Sequence, residues 1–261
     1  MGRTYPDTTA GRPATPSAAL VPEVDVVGPW NVNAPYRLEE LSASTDRSYQ
    51  ALTDLIIKRV SAFAVAHHIP RLEILDVGCG IGFLSRSLAT AGHQVDGIDP
   101  SEASIKLAAD QSNDVTFHVS TLEEFPRGRR FDVLVANMTL HCVAKLPAFM
   151  EGAAAFLKPT GIFIATIPNP ESYLQRRGDV RLDAVDLAQE HRLEIPFRIH
   201  DRPSHPAAVY FFHRPLRTYA AAARGAGLMV DWYETPAQIG VGKPQDVAVL
   251  VLRRHSTATQ L

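Results

Sequence analysis

The sequence predicts an α/β fold: a mostly parallel sheet with helices on both faces. Three observations predict it. Apolar, β-branched runs alternate with helical patterns from residue 73 to residue 167, the rhythm of strand–helix–strand units. The first run leads into a glycine-rich turn, "EILDVGCGIGF" at 73–83, with glycines at 78, 80 and 82. The second run, "QVDGID", closes on Asp99.

The elements follow in order. Residues 1–36 hold six prolines among many Thr, Ala and Gly, and the part up to Leu20 has the composition of a disordered tail. Trp30 and Tyr36 stand in a stretch expected to be extended; they either pin it to the domain or close over a ligand. From about Thr45 the spacing of Leu52, Leu55, Ile56, Val60 and Phe63 predicts a helix that Pro70 ends. "LEILDVG" is a buried strand, and "FLSRSLATAG" a helix stopped at Gly92. Ser101 can cap the helix "EASIKLAADQ". "VTFHV" and "FDVLVANM" are further strands. "AFMEGAAAFLKPTG" is expected to be a helix ended by Pro159 and Gly161, followed by the strand "IFIATIP". Residues 169–212 break the rhythm and are taken as an insertion or lid. "LRTYAAAARGAG" is a helix with a glycine stop, and "MVDWYET" and "DVAVLVLRR" can form a closing antiparallel pair.

A chain of 261 residues, 46% hydrophobic and 21% charged, has material for one large domain. A net charge of −2 and a pI near 6.5 argue against a nucleic-acid partner, which favours a basic face. Cys79 and Cys142 are far apart and form no disulfide framework, which suits a reducing cytoplasm. No His/Asp/Cys spacing indicates a metal site, and no apolar run is long enough to span a membrane.

Glycines at a strand-to-helix turn let the backbone itself become the wall against a ligand. An acidic residue at the end of the next strand can accept hydrogen bonds from a ribose diol. A dinucleotide turn of the form G-x-G-x-x-G would place its third glycine at position 83, where this chain has Phe83.

On these residues the chain resembles a known family. "EILDVGCGIGFLSRSLATAGHQVDGIDPSEASIKLAA" resembles motif I and the second-strand acidic motif of class I S-adenosylmethionine-dependent methyltransferases. "FDVLVANMTLHCV" is similar to the family's fourth-strand motif, and "AAFLKPTGIFIATIPNP" to the helix and strand after it. "FFHRPLRTYAAAARGAGL" is similar to a stretch of the small-molecule branch. The likeness runs from about Arg71 to the C-terminus. It implies a Rossmann-like, seven-stranded sheet whose last strand is antiparallel. It divides the chain into a tail and cover segment at 1–36 and a methyltransferase domain at 37–261 containing the lid.

The resemblance implies that Asp76, Gly78, Cys79 and Gly80 line the methionine end of S-adenosyl-L-methionine. Asp99 would hold the ribose, and Pro100 and Ser101 would flank the adenine. Thr121 and Leu122 would contact the adenine, and Asn137 and Met138 would lie beneath the sulfonium. Ser120 stands where many relatives have Asp. Cys79 has no base beside it in sequence, and its small size suffices to explain it.

A base is needed where the acceptor is a hydroxyl or a protonated amine, and His is the usual choice. His141, after the fourth strand, is a candidate base or acceptor-positioning group, or else a packed histidine. His191, beside Glu190 in the lid, is a second candidate; a solvated lid helix is the alternative. Tyr36, Tyr173 and His213 are candidate acceptor contacts, with His213 otherwise a tie between lid and helix. Asp183, Asp186 and Glu190 have roughly helical spacing and suit a solvated face. The expected activity is methyl transfer to oxygen or nitrogen of a small molecule, by a cytoplasmic monomer or homodimer. A nicotinamide-dependent oxidoreductase, a non-catalytic S-adenosylmethionine-binding protein, and an RNA or protein methyltransferase are the alternatives.

Overall fold

The computed structural model describes residues 24–42, 47–176, 182, 185–197, 207–234 and 247–255. Two helices come first, α1 (Gly28–Ser42) and α2 (Arg47–His67). The stretch around Trp30 and Tyr36 is therefore helical, where an extended segment was expected. Its start is made locally. The Asp25 carboxylate accepts from the backbone N–H groups of Val27 (3.0 Å) and Gly28 (2.7 Å). Pro29 falls in the first turn, where its missing N–H costs nothing. α2 stops at His68 in the left-handed region (φ 55°), with Ile69 N–H returning to Ala64 O at 3.0 Å. The helix has thus closed its own end before Pro70.

The main body alternates as expected: β1 (Glu73–Val77), α3 (Phe83–Thr90), β2 (Gln94–Asp99), α4 (Glu102–Ala109), β3 (Val115–Val119) and β4 (Phe131–Asn137). Ser101 caps α4, its Oγ accepting from Ser104 N at 3.1 Å. A short 3-10 helix (Leu140–Cys142) leads into α5 (Leu146–Phe156) and β5 (Leu157–Pro168). Here the structure corrects the expected boundary. α5 ends at Phe156, and Pro159 and Gly161 belong to the start of β5. The reason is close packing: a Cβ on Gly161 would lie 2.9 Å from Asp132 O and 3.1 Å from Phe131 O, so glycine lets β5 press against β4.

The seven strands are ordered β3-β2-β1-β4-β5-β9-β8, with β8 (Leu228–Glu234) and β9 (Val247–Arg254) preceded by α7 (Leu216–Gly225). β1 to β5 are parallel; β9 runs antiparallel to both β5 and β8. Every residue of β4 is buried, as a central strand covered on both faces requires. One face packs Leu75, Leu134, Phe163 and Leu250 against α5 and α7, the other Ile74, Val133, Ile164 and Val251 against α2 and α3. Each fully buried side chain of this kind contributes roughly 1.5–3 kcal/mol.

Strand order reverses between β1 and β4, so a crevice opens beyond their C-terminal ends. Within 169–212 lie a one-turn helix, α6 (Tyr173–Arg176), and a separate antiparallel pair, β6 (His191–Ile195) with β7 (Val209–His213). His191 thus starts a strand, not a helix, and Asp186 and Glu190 lie in the turn before it. Asp183, His200 and His205 lie outside the described residues.

Candidate active site

A cavity of about 1860 Å³ occupies the crevice, walled by the glycine turn, α1, α2, the end of β4 and the β6–β7 pair. One drug-sized ligand ordinarily takes about 300–1,000 Å³, so there is room for two molecules side by side.

The three glycines have different jobs. All are left-handed, with φ of 70°, 54° and 73° at Gly78, Gly80 and Gly82. A Cβ on Gly78 would strike Thr139 Cγ2 at 2.4 Å, and one on Gly82 would strike Phe117 Cζ at 2.5 Å. These two serve packing. A Cβ on Gly80 would meet nothing within 4 Å, and Gly80 lines the cavity. It is the opening in the wall.

Asp99 is fixed beside that opening. Its Oδ2 accepts from Gly80 N at 2.9 Å and its Oδ1 from Ser101 N at 2.8 Å. Burial pushes its pKa up, and these two hydrogen bonds act against the rise. Each carboxylate oxygen has a second lone pair available to a ligand. Pro100, Thr121 and Leu122 continue this wall. Thr121 Oγ1 is held by Glu124 Oε2 at 3.0 Å.

Asn137 and Met138 end β4 at the cavity. Met138 is left-handed (φ 55°), rare for a residue with a side chain. It is anchored by its N–H to Thr166 O (3.1 Å) and Thr166 Oγ1 (2.9 Å). The same Oγ1 donates to Asn137 Oδ1 at 2.5 Å. Asn137 Nδ2 is buried with no acceptor among the described residues. A buried donor left unpaired is costly, so this amide turns to the Tyr49 hydroxyl beside it or to a ligand oxygen.

Three of the expected contacts are not on the cavity wall. Asp76 is only 1% exposed, and its Oδ2 accepts from Ser85 Oγ at 2.6 Å. Burial pushes its pKa up to about 7, with the Ser85 hydrogen bond opposing. It braces the turn from behind. Ser101 is fully buried; besides capping α4 it donates to Asn31 Oδ1 at 2.8 Å and so holds α1 on α4. Tyr36 is solvent-exposed on α1, because helical winding turns it away from the cavity that Trp30 lines. Cys79 does line the cavity. Burial holds its thiol protonated, so it is no nucleophile.

The lid supplies aromatic faces. Tyr173 stacks on Phe211 (5.6 Å, 14°), and Phe211 meets His141 at 5.2 Å. Trp30 meets Phe197 edge-on at 5.6 Å. His191, His213 and His141 all reach the same cavity. His191 Nε2 donates to Asp186 O (2.6 Å) and His213 Nε2 to Leu187 O (2.9 Å), so both rings pin the turn at 186–187. That bonding weakens His191 as a proton acceptor and ties His213, just ahead of α7, to the lid at Leu187.

His141 is half-buried. Its Nδ1 is enclosed without a partner among the described residues, which leaves Nε2 as the nitrogen the cavity can reach. Burial, and then the charge of Arg214, lower its pKa to about 3. The ring is neutral at ordinary pH.

Sequence reasoning missed Tyr49. It reaches the cavity from α2, with the Arg37 guanidinium 4.6 Å above its ring and Phe83 at 6.0 Å against its edge. Burial pushes its hydroxyl far above the usual tyrosine range. In the sequence it is one aromatic near a helix start, and only the tertiary placement of α2 brings it here. Among the described residues no three His, Cys, Asp or Glu side chains converge on a possible metal position, and no helix is long and apolar enough to cross a membrane.

A parallel sheet with a reversed final strand, a glycine turn beside a fixed carboxylate, and a two-molecule cavity together define a nucleotide-cofactor group-transfer scaffold. Residues 46–230 match the family model described as a methyltransferase domain, and the chain belongs to that family. It is 40% identical over 102 residues to a ubiquinone biosynthesis O-methyltransferase of Rhodopseudomonas palustris strain BisB5. It is 37% identical over 102 residues to one named alike from Bradyrhizobium diazoefficiens. Each match covers 38% of this chain and 40% of the relative, so the chain spans well under half the length of these curated relatives. The fold also resembles the CcbJ methyltransferase from Streptomyces caelestis, with a TM-score of 0.62 and 18% identity over 88% of this chain and 99% of that one. Magnesium protoporphyrin IX methyltransferase from Synechocystis, solved with bound SAH, gives a TM-score of 0.55 at 18% identity over 79% of this chain and 83% of that one.

Proposed function

We propose that this protein transfers a methyl group from S-adenosyl-L-methionine to an oxygen or nitrogen of a small, largely apolar aromatic acceptor. One observation carries the proposal: a single cavity joins the glycine turn and Asp99 to the aromatic faces of the lid. The residues present fit the cofactor. Gly80 leaves an opening, Asp99 has free lone pairs for ribose hydroxyls, and Asn137 Nδ2 lacks an acceptor. Phe83, where a dinucleotide turn would have glycine, disfavours a nicotinamide cofactor.

Once bound, S-adenosyl-L-methionine supplies an already activated methyl group, so the protein's main task is alignment. Asp99 orients the ribose; Pro100, Thr121 and Leu122 border the adenine; Gly78, Gly80, Asn137 and Met138 enclose the methionine end. Tyr49 and Trp30 cover the site from the helical side. Tyr173, Phe211 and Phe197 hold the acceptor ring. His141 Nε2 accepts a hydrogen bond from the acceptor hydroxyl and receives its proton as methyl transfer makes that oxygen positive. A methylated oxonium is a far stronger acid than imidazolium, so a base of low pKa is adequate.

The O-methyltransferase names of the relatives support oxygen as the acceptor atom. Residues 169–212 serve as the acceptor lid and 1–36 as tail and cover. The protein works in the cytoplasm as a monomer or homodimer, without nucleic acid. The test is calorimetry with S-adenosylhomocysteine and NADH, then turnover with methyl-labelled cofactor across phenols, catechols, anilines and aliphatic alcohols. Uptake of S-adenosylhomocysteine and methylation confined to the aromatic acceptors are expected. Binding of NADH alone would overturn the proposal.

A further inference from the structure

Arg214 lies between β7 and α7 and is only 4% exposed. A guanidinium so buried must have partners for its donors. Its Nη1 donates to Leu140 O (3.2 Å), and its Nη2 donates to Val143 O (2.7 Å) and Ala144 O (3.0 Å). These carbonyls bracket the 3-10 turn that carries His141. On the opposite side, Arg214 Nε faces Glu190 Oε2 of the lid turn at 3.4 Å. Phe212 lies against the guanidinium plane at 5.0 Å, and Tyr219 of α7 stands close enough for the Arg214 charge to act on its hydroxyl.

We propose that Arg214 is a positioning residue: it clamps the turn bearing His141 to the lid and so fixes the imidazole at the acceptor half of the cavity. The proposal rests on the role given to His141 above. Three carbonyls at different positions need a planar fork of donors. A lysine retains the charge but is a point donor and cannot span them. Because Nδ1 of His141 has no partner among the described residues, no hydrogen bond of its own orients the ring. Orientation must come from the backbone of its turn and from the Phe211 face, and Arg214 grips that backbone.

The charge works in the same direction. Around the imidazole and Arg214 stand Cys142 on the same turn, Tyr219 from α7, His213 from β7 and Glu190 from the lid. Burial pushes Cys142 and Tyr219 up to about 12, so both stay neutral. Two anions stand near: Glu190, which pairs with Arg214, and Asp99 across the cavity, whose charge reaches Cys142. On His141 itself burial acts most strongly against a second proton, and the Arg214 charge acts in the same direction.

The test combines spectroscopy with kinetics. ¹⁵N-histidine NMR is recorded from pH 5 to 8 on the native protein, with His141 assigned by its loss in His141→Gln. The expected result is a neutral, single-tautomer His141 throughout, against about 6.5 for an ordinary histidine. Arg214→Lys should give a tautomer-averaged His141 signal and a fall in kcat of about 100-fold, the scale of an ångström's misplacement. Its affinity for S-adenosylhomocysteine should be unchanged. A tautomer-averaged His141 in the native protein, or a wild-type spectrum and kcat in Arg214→Lys, would overturn the proposal. Should Arg214→Lys not fold, the native spectrum still decides, since a tautomer-averaged His141 would show a ring that is not positioned. Full turnover by His141→Gln would remove His141 from the proposed function, whereas positioning by Arg214 stands or falls on the spectra.

Discussion

Gly80→Ala separates a glycine needed for a ligand from glycines needed for the fold. The new methyl group would meet no protein atom within 4 Å, so the stability cost is confined to the left-handed backbone at φ 54°. That cost is about 1–2 kcal/mol, a fall in Tm of about 2–4 °C per kcal/mol for a chain of this size. In the cavity the methyl takes space from the ligand. Overpacking by one carbon costs about 1–3 kcal/mol, which predicts an affinity loss of about 5- to 150-fold. Gly82→Ala is the control. Its Cβ would approach Phe117 Cζ to 2.5 Å at φ 73°, so strain and overpacking both fall on the fold, about 2–5 kcal/mol together. The assay pairs thermal unfolding with calorimetry of S-adenosylhomocysteine. A Gly80→Ala protein that binds S-adenosylhomocysteine as tightly as wild type would refute the assignment of that opening to the cofactor.

Further outcomes follow from other parts of the molecule. Burial pushes Asp76 up to about 7 from an ordinary 3.8. Between those values the folded protein keeps a proton that the unfolded chain has released. Asp76 therefore lowers stability as pH rises through this window, by on the order of 4 kcal/mol. Asp76→Asn should gain stability relative to wild type between pH 4.5 and 7.5, and melts showing a constant difference would exclude this. Arg129 holds the buried Asp96 carboxylate through two hydrogen bonds of 3.0 and 2.9 Å; Arg129→Ala should cost about 1–3 kcal/mol in denaturant unfolding, and a change near zero would show that Asp96 does not need it. Tyr173→Ala removes a ring stacked on Phe211 and should raise the acceptor KM several-fold, in line with about 0.5–1.5 kcal/mol for such a ring. Cofactor affinity in that variant should not move; if it does, the ring is not an acceptor contact. With the pKa of His141 lowered by burial to about 3, kcat should show no loss on acidification from pH 8 to 5, and an inflection near 6.5 would show that burial does not keep the ring neutral across this range.

The sheet was legible because its signal is local. β1, β2, β3 and β4 are short apolar runs between turn residues, and each occurs where the pattern puts it. The capping role of Ser101 and the place of Asp99 at the end of β2 were equally plain, since both depend on neighbours a few residues away. Errors came where a long-range contact overrides the local cue. α1 forms in a proline-bearing stretch because Asp25 caps it and Asn31 is held by Ser101 and Ala103 of the α4 segment. α5 ends before Pro159 because β5 begins pairing with Phe131 at Leu157. Asp76 was expected on the cavity and is behind it, since Ser85, one turn into α3, takes its carboxylate.

By itself the sequence determined the α/β alternation, the glycine turn, the acidic end of β2 and the closing antiparallel pair, because each is encoded within one element or one turn. Tertiary structure alone decided which glycine faces a ligand, that Tyr49 reaches the cavity and Trp30 meets Phe197 of the lid, and that Arg214 grips the turn of His141. Those depend on the angle at which separate elements pack, and nothing within any single segment records the side chains a distant segment will bring against it.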